Sequence, residues 1–310
     1  MKLAAVLAAS LVLILIVAAW LLYAPDEPRE KLEATYKVAP SDYVEAAGTR
    51  LRVRDTGPRD APAVILIHGF GASLDTWDAW ADRLQTDRRV IRFDLPGFGL
   101  TGPDPSGDYS DAHDEKVLAA LMDALGLPRA SLVGNSLGGR LAWRFAADHP
   151  ERVEKLVLIS PDGFASPGFE YDKSPDVPWM MRLLPYTMPT PLLRASLAPA
   201  YGDPSRLTPA VVQRYRDMML APGVRDAILA RTAQVMLRDP REALARIQAP
   251  TLLLWGEKDG MIPFANSADY LRAIPNARLV ALPGLGHVPF EEDPGPSLAP
   301  VRAFLDEPNS

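Results

Sequence analysis

The sequence predicts an α/β protein: a mostly parallel sheet flanked by helices, with an inserted helical cap and an apolar helix at the N-terminus. Three observations carry this. Short apolar runs at Ala63–Ile67, Val90–Phe93, Ser131–Val133, Lys155–Ile159 and Thr251–Trp255 alternate with helical stretches, and strands apolar at nearly every position are strands buried on both faces. From 162 to 248 the strand signal disappears into short, proline-broken helical stretches such as LTPAVVQRYRDMML. Finally, Leu3–Tyr23 contains no charge at all.

Composition bounds the alternatives. The chain has 310 residues, 48% of them hydrophobic and 23% charged, enough for one large domain with a substantial core. Its net charge of −6, with no basic block interleaved with aromatics, argues against a nucleic-acid partner. The absence of cysteine excludes disulfides, thiolate metal sites and a cysteine nucleophile. The four histidines, at 68, 113, 149 and 287, are too scattered for an HExxH-type pair. Neither a metal nor an organic cofactor is expected.

Along the chain, residues 1–24 read as a transmembrane anchor or signal. As a helix, Leu3–Tyr23 would span roughly 30 Å, the thickness of a bilayer core, and Trp20 and Tyr23 stand where interfacial aromatics belong. A cleaved signal, which would make the protein secreted, competes; the apolar run exceeds a usual signal core, and Pro25 spoils a cleavage site after Ala24. The expectation is therefore membrane attachment through this helix, with the catalytic domain on the extracytoplasmic, periplasmic side. Residues 25–41, rich in proline and charge, read as a tether. A hairpin over Asp42–Val44 and Arg50–Arg54 opens the core, which occupies 42–161 and 249–306. Helices are expected near Leu74–Leu84, Ala112–Leu125, Ser136–His149, Phe264–Ala273 and Pro294–Leu305, with a last strand at Arg278–Ala281. The helical stretch 162–248 would cap the C-terminal edge of the sheet, where open α/β sheets hold their sites.

The chemistry begins at Gly134-Asn135-Ser136-Leu137-Gly138, where an apolar strand ends and a helix begins. A serine on such a strand–turn–helix junction is a nucleophile elbow; its glycines let the backbone turn without Cβ clashes. A plain helix N-cap is the simpler reading of the same serine. A hydroxyl needs a base and an orienting acid. His287, on a glycine-flanked loop after the strand RLVAL, is the candidate base, and Asp259, just past LLLW, is the candidate acid. Glu257 and Asp162 are weaker acids, while His68, His113 and His149 read as structural, His68 bracing its turn. An oxyanion needs preorganised donors, expected from the amides of Leu137, at the helix start, and Phe70, in the turn His68–Gly71, with Gly71 the alternative.

Five segments, HGFGAS (68–73), DLPGFGLTG (94–102), GNSLGG (134–139), WGEKDGMIP (255–263) and GHVPFEEDP (286–294), occur in an order and at spacings that resemble the α/β-hydrolase superfamily. The resemblance implies Ser136 as nucleophile, Asp259 as acid and His287 as base, with oxyanion amides on Phe70 and Leu137. Serine at 136 argues against the branch that uses an aspartate nucleophile. Carbon–carbon hydrolases of ring-cleavage products share the GNS-x-GG elbow, and they often carry tryptophan after the catalytic histidine, where this chain has Val288. The expectation is thus a serine hydrolase of the capped, esterase- and lipase-like branch, acting on a small lipophilic ester with an apolar acyl group. The alternatives are a carbon–carbon hydrolase and a non-catalytic binding protein on the same scaffold. The sulfur-rich cap stretch from Trp179 to Met188 would either line an acyl pocket or pack the cap.

Overall fold

The computed structural model describes residues 20–37, 39, 41–165, 170–173 and 177–308, together with 6, 7, 9, 10, 13 and 17. Among these an eight-stranded sheet runs in the order β1-β2-β4-β3-β5-β6-β7-β8. Its strands are β1 (Ser41–Ala46), β2 (Thr49–Thr56), β3 (Ala63–Ile67), β4 (Arg89–Phe93), β5 (Ala130–Asn135), β6 (Val153–Ile159), β7 (Thr251–Gly256) and β8 (Ala277–Leu282). The first hairpin is antiparallel and β2 pairs antiparallel with β4; every later pairing is parallel. The central strands β4 and β5 are buried at every position, and the charges β4 carries are paired, Arg89 with Asp55 and Arg92 with Asp78.

The helices follow the strands. They are α1 (Arg29–Tyr36), α2 (Asp78–Leu84), α3 (Asp111–Ala124), α4 (Leu137–Asp148), α5 (Thr190–Leu197), α6 (Pro209–Met219), α7 (Val224–Gln234), α8 (Arg241–Leu244), α9 (Ser267–Ala273), α10 (Pro289–Glu292) and α11 (Pro294–Asp306). In α3 the hydroxyl of Ser110 accepts the amide of His113 and caps the helix, while Val117, Leu118, Leu121 and Met122 bury one face against the sheet. Helices α5 to α8, inserted between β6 and β7, form the cap. Two hydrophobic clusters fill the two faces of the sheet, one around Ile65, Phe93 and Leu132, the other around Val64, Trp80 and Val133. Alternate residues of single strands thus point into opposite layers.

The N-terminal segment requires a correction. Among the described residues no helix is long and apolar enough to cross a membrane. Much of Leu3–Tyr23, on which the membrane helix was expected, lies outside the described residues. With that helix, the membrane as a partner and the anchored, extracytoplasmic placement of the catalytic domain lose their support. The chain just after it is bound to the protein: Tyr23 forms a β-bridge with Thr187, and the buried Ala24 donates its amide to Tyr186 at 2.9 Å. The stretch expected as a tether contains α1, whose Leu32 is buried in the core and whose Tyr36 hydroxyl donates to Asp217 at 2.7 Å.

Candidate active site

Ser136 sits between β5 and α4 with φ 53° and ψ −117°, a left-handed backbone that a side chain rarely adopts. Its amide donates to Ile159, and its carbonyl accepts from Arg140 and Asp162, so the strained turn is held from both sides. The glycines are required by close approach. A Cβ on Gly138 would stand 2.3 Å from the Ile67 carbonyl oxygen, and one on Gly134 would stand 2.2 Å from that of Gly138. The turn after β3 lies directly on the serine: a Cβ on Gly69 would be 3.2 Å from the Cβ of Ser136.

His287 and Asp259 meet on the neighbouring loops. Nδ1 of His287 donates to Oδ2 of Asp259 at 2.7 Å, the only direction open to a carboxylate acceptor. The other oxygen, Oδ1, accepts the amides of Met261 and Ile262, both at 2.8 Å. Both side chains are almost wholly buried. Asn135 connects this pair to the serine: its side-chain amide donates at 3.0 Å to the carbonyl of His287 and at 3.1 Å to that of Ile159. The elbow and the histidine loop are thereby tied one residue away from Ser136. Trp77 stacks on Phe290 with centroids 4.0 Å apart, pinning the helix that follows the histidine.

The remaining candidates separate by geometry. Phe70 is 46% exposed and edge-on to Phe98. Among the described residues the amides of Phe70 and Leu137 meet no backbone carbonyl. His68 is fully buried; its Nε2 accepts the Leu95 amide at 3.0 Å, so Nδ1 carries the proton and donates to Gly69. Burial pushes its pKa down, against the pull of Asp94. It braces the turn. His113 pairs with Asp104 at 2.9 Å, and His149 stacks on Phe145, both away from Ser136. Asp162 faces Arg140, and Glu257 is exposed. Two residues of the site escaped sequence reasoning. Asn135 is hidden inside the elbow motif, and Glu292, 3% exposed behind the histidine loop, looks in sequence like an ordinary solvated charge.

A strained serine, a carboxylate-bound histidine and unpaired amides at the C-terminal edge of a parallel sheet define the class: an α/β-fold hydrolase. The family model described as the alpha/beta hydrolase fold matches residues 62–294, and the chain belongs to that family. It is 34% identical over 268 residues to a 2-hydroxy-6-oxononadienedioate/2-hydroxy-6-oxononatrienedioate hydrolase of Burkholderia vietnamiensis, covering 80% of this chain and 90% of that protein. Among solved structures it resembles a meta-cleavage product hydrolase from Pseudomonas fluorescens IP01 (TM-score 0.74, 26% identity), covering 86% of this chain and 97% of that one. It also resembles a membrane phospholipase A described as a bacterial virulence factor (TM-score 0.73, 28% identity), covering 99% of this chain and 98% of the other.

Proposed function

We propose that the chain is a serine hydrolase that works through Ser136, His287 and Asp259 and cleaves carboxylic esters with apolar acyl groups. The observation that carries the catalytic part is the Asp259–His287 pair at 2.7 Å, on a loop bonded through Asn135 to the strained elbow. With Nδ1 engaged by the carboxylate, Nε2 is the basic nitrogen. It takes the proton of the Ser136 hydroxyl as the oxygen attacks the ester carbonyl. The developing oxyanion is received by the amides of Leu137 and Phe70. Collapse expels the alkoxide, which leaves as the alcohol with the proton held by His287. Water, deprotonated by the same nitrogen, then attacks the acyl-enzyme; the acid departs and serine regains its proton.

The ester reading draws on the rim of the site. Phe70 and Met261, close in the chain to Gly69 and Asp259, are about half exposed, and the cap elsewhere exposes Trp179, Met180 and Leu183. Three of the cap's arginines, Arg214, Arg225 and Arg231, hold the carboxylates of Glu291, Asp26 and Asp114 respectively. An apolar substrate suits the exposed apolar side chains. The likeness to a phospholipase A along nearly the whole chain supports the same class.

A second reading has the stronger support from the relatives. The Burkholderia and P. fluorescens enzymes are named for hydrolysis of ring-cleavage products, and the same triad would serve a carbon–carbon bond. Purified enzyme assayed side by side on p-nitrophenyl esters of graded length and on a ring-cleavage dienoate decides the bond. Ser136→Ala should lose ~10³-fold or more in kcat on the true substrate while staying folded. Comparable turnover by that variant would remove Ser136 from the mechanism, and failure of a fluorophosphonate to label the native chain would favour a binding role.

A further inference from the structure

The loops of the acid and the base do not stand alone; both press against one cap segment, residues 199–203. Gly260, next to Asp259, donates its amide to Pro199 at 3.1 Å, and His287 donates its own to Ala200 at 2.7 Å. The fit leaves no room for a side chain. A Cβ on Gly202 would stand 2.2 Å from the Gly284 carbonyl oxygen, and one on Gly286 would stand 2.5 Å from that of Ala200.

Glu292 lies behind this seam, 3% exposed at the end of α10. Its Oε2 accepts the amide of Gly286 at 2.8 Å and that of Gly202 at 3.1 Å, while Oε1 accepts the amide of Asp203 at 2.7 Å. One carboxylate therefore gathers amides from the cap and from the residue immediately before His287. Three amide donors thus satisfy the buried carboxylate oxygens. The adjacent Glu291 reinforces the grip by accepting the Tyr201 hydroxyl at 2.6 Å.

We propose that Glu292 is a positioning residue. It locks the cap segment to the loop of His287, so that the base holds its reacting position only while the cap is seated. The inference rests on the reading of His287 as the base. Its consequence is kinetic: a displacement of ~1 Å in a catalytic group costs on the order of 10²-fold in rate, even when the substrate still binds.

The test uses the full-length chain, a short p-nitrophenyl ester, and active sites counted by end-point fluorophosphonate labelling. Glu292→Gln turns one of the two acceptor oxygens into a donor facing an amide donor. It should lower kcat per labelled site by ~10-fold or more, leave KM within about threefold, and slow labelling by the same factor as kcat. Gly202→Ala wedges the same seam from the cap side while leaving the carboxylate itself in place, and should lower kcat comparably. The double variant should be little worse than the worse single one, because both break one contact. A folded Glu292→Gln protein with kcat per site within about twofold of native would overturn the proposal. If that variant does not fold, an unchanged kcat in Gly202→Ala overturns it. Ser136→Ala, run in parallel, separates the two levels: retained turnover there defeats the catalytic reading itself, and the positioning role with it.

Discussion

Ser136 holds a backbone conformation that costs ~1–3 kcal/mol, and the surrounding hydrogen bonds to Ile159, Arg140 and Asp162 keep it there. Asp259 accepts three hydrogen bonds beneath the imidazole. Asp259→Asn would present an amide to Nδ1 and favour the wrong tautomer. We expect kcat to fall on the order of 10³–10⁴-fold with an unchanged circular dichroism spectrum. Another single residue contributes to the acid response. Burial would raise the pKa of Asp104, but hydrogen bonds from Ser106, Thr49 and His113 overcome it and bring the group down to about 2. A carboxylate with a depressed folded pKa stabilises the fold above its ordinary value and loses that contribution as pH falls through the folded one. Melting temperature should therefore drop between pH 4 and pH 2, and Asp104→Asn, less stable at pH 7, should show a shallower drop over that interval.

At the scale of elements, the site is a set of four strand ends. β3 delivers the turn with Phe70, β5 delivers Ser136, β7 delivers Asp259 and β8 delivers His287. Parallel pairing brings those ends to one edge of the sheet. The contact between the β3 turn and the start of α4 is backbone against backbone at Gly138. Gly138→Ala must push the two apart, and neither can yield as a flexible side chain would. Urea denaturation should register a loss of ~2 kcal/mol or more, and the surviving folded enzyme should turn over more slowly because the proposed oxyanion amides separate.

Over the whole molecule, the segment 23–36 straps the cap to the core. Arg225, 3% exposed in the cap, donates to the Ala24 carbonyl at 2.7 Å and pairs with Asp26 at 2.6 Å. Further on, Arg29 donates to the Leu100 carbonyl at 2.6 Å. One short stretch thus bonds to both the cap and the core, and the cap in turn clasps the acid and base loops. Arg225→Ala should destabilise the protein by ~1–3 kcal/mol. Limited proteolysis should then cut within 177–234 earlier than in the native chain.

The sheet, its order of strands and helices, and the position of the serine elbow were legible in the amino-acid sequence, because each is written in local patterns. A strand buried on both faces is apolar at nearly every position, as LLLW is, and an elbow without room for Cβ atoms must be glycine at 134 and 138. The candidate pair Asp259 and His287 was legible for the same reason, since each follows a strand on a short loop. Tertiary structure alone decided which charges are buried. Glu292 and the solvated Glu257 look alike in sequence, yet one receives amides from a segment some ninety residues away and the other receives none of them. Arg231 finds Asp114 across a separation of 117 residues. It also turned the charged stretch after residue 24 from a tether into a docked strap. The reason is common to all three: apolar periodicity is a property of neighbours in the chain, whereas a buried charge is tolerable only where a distant partner meets it.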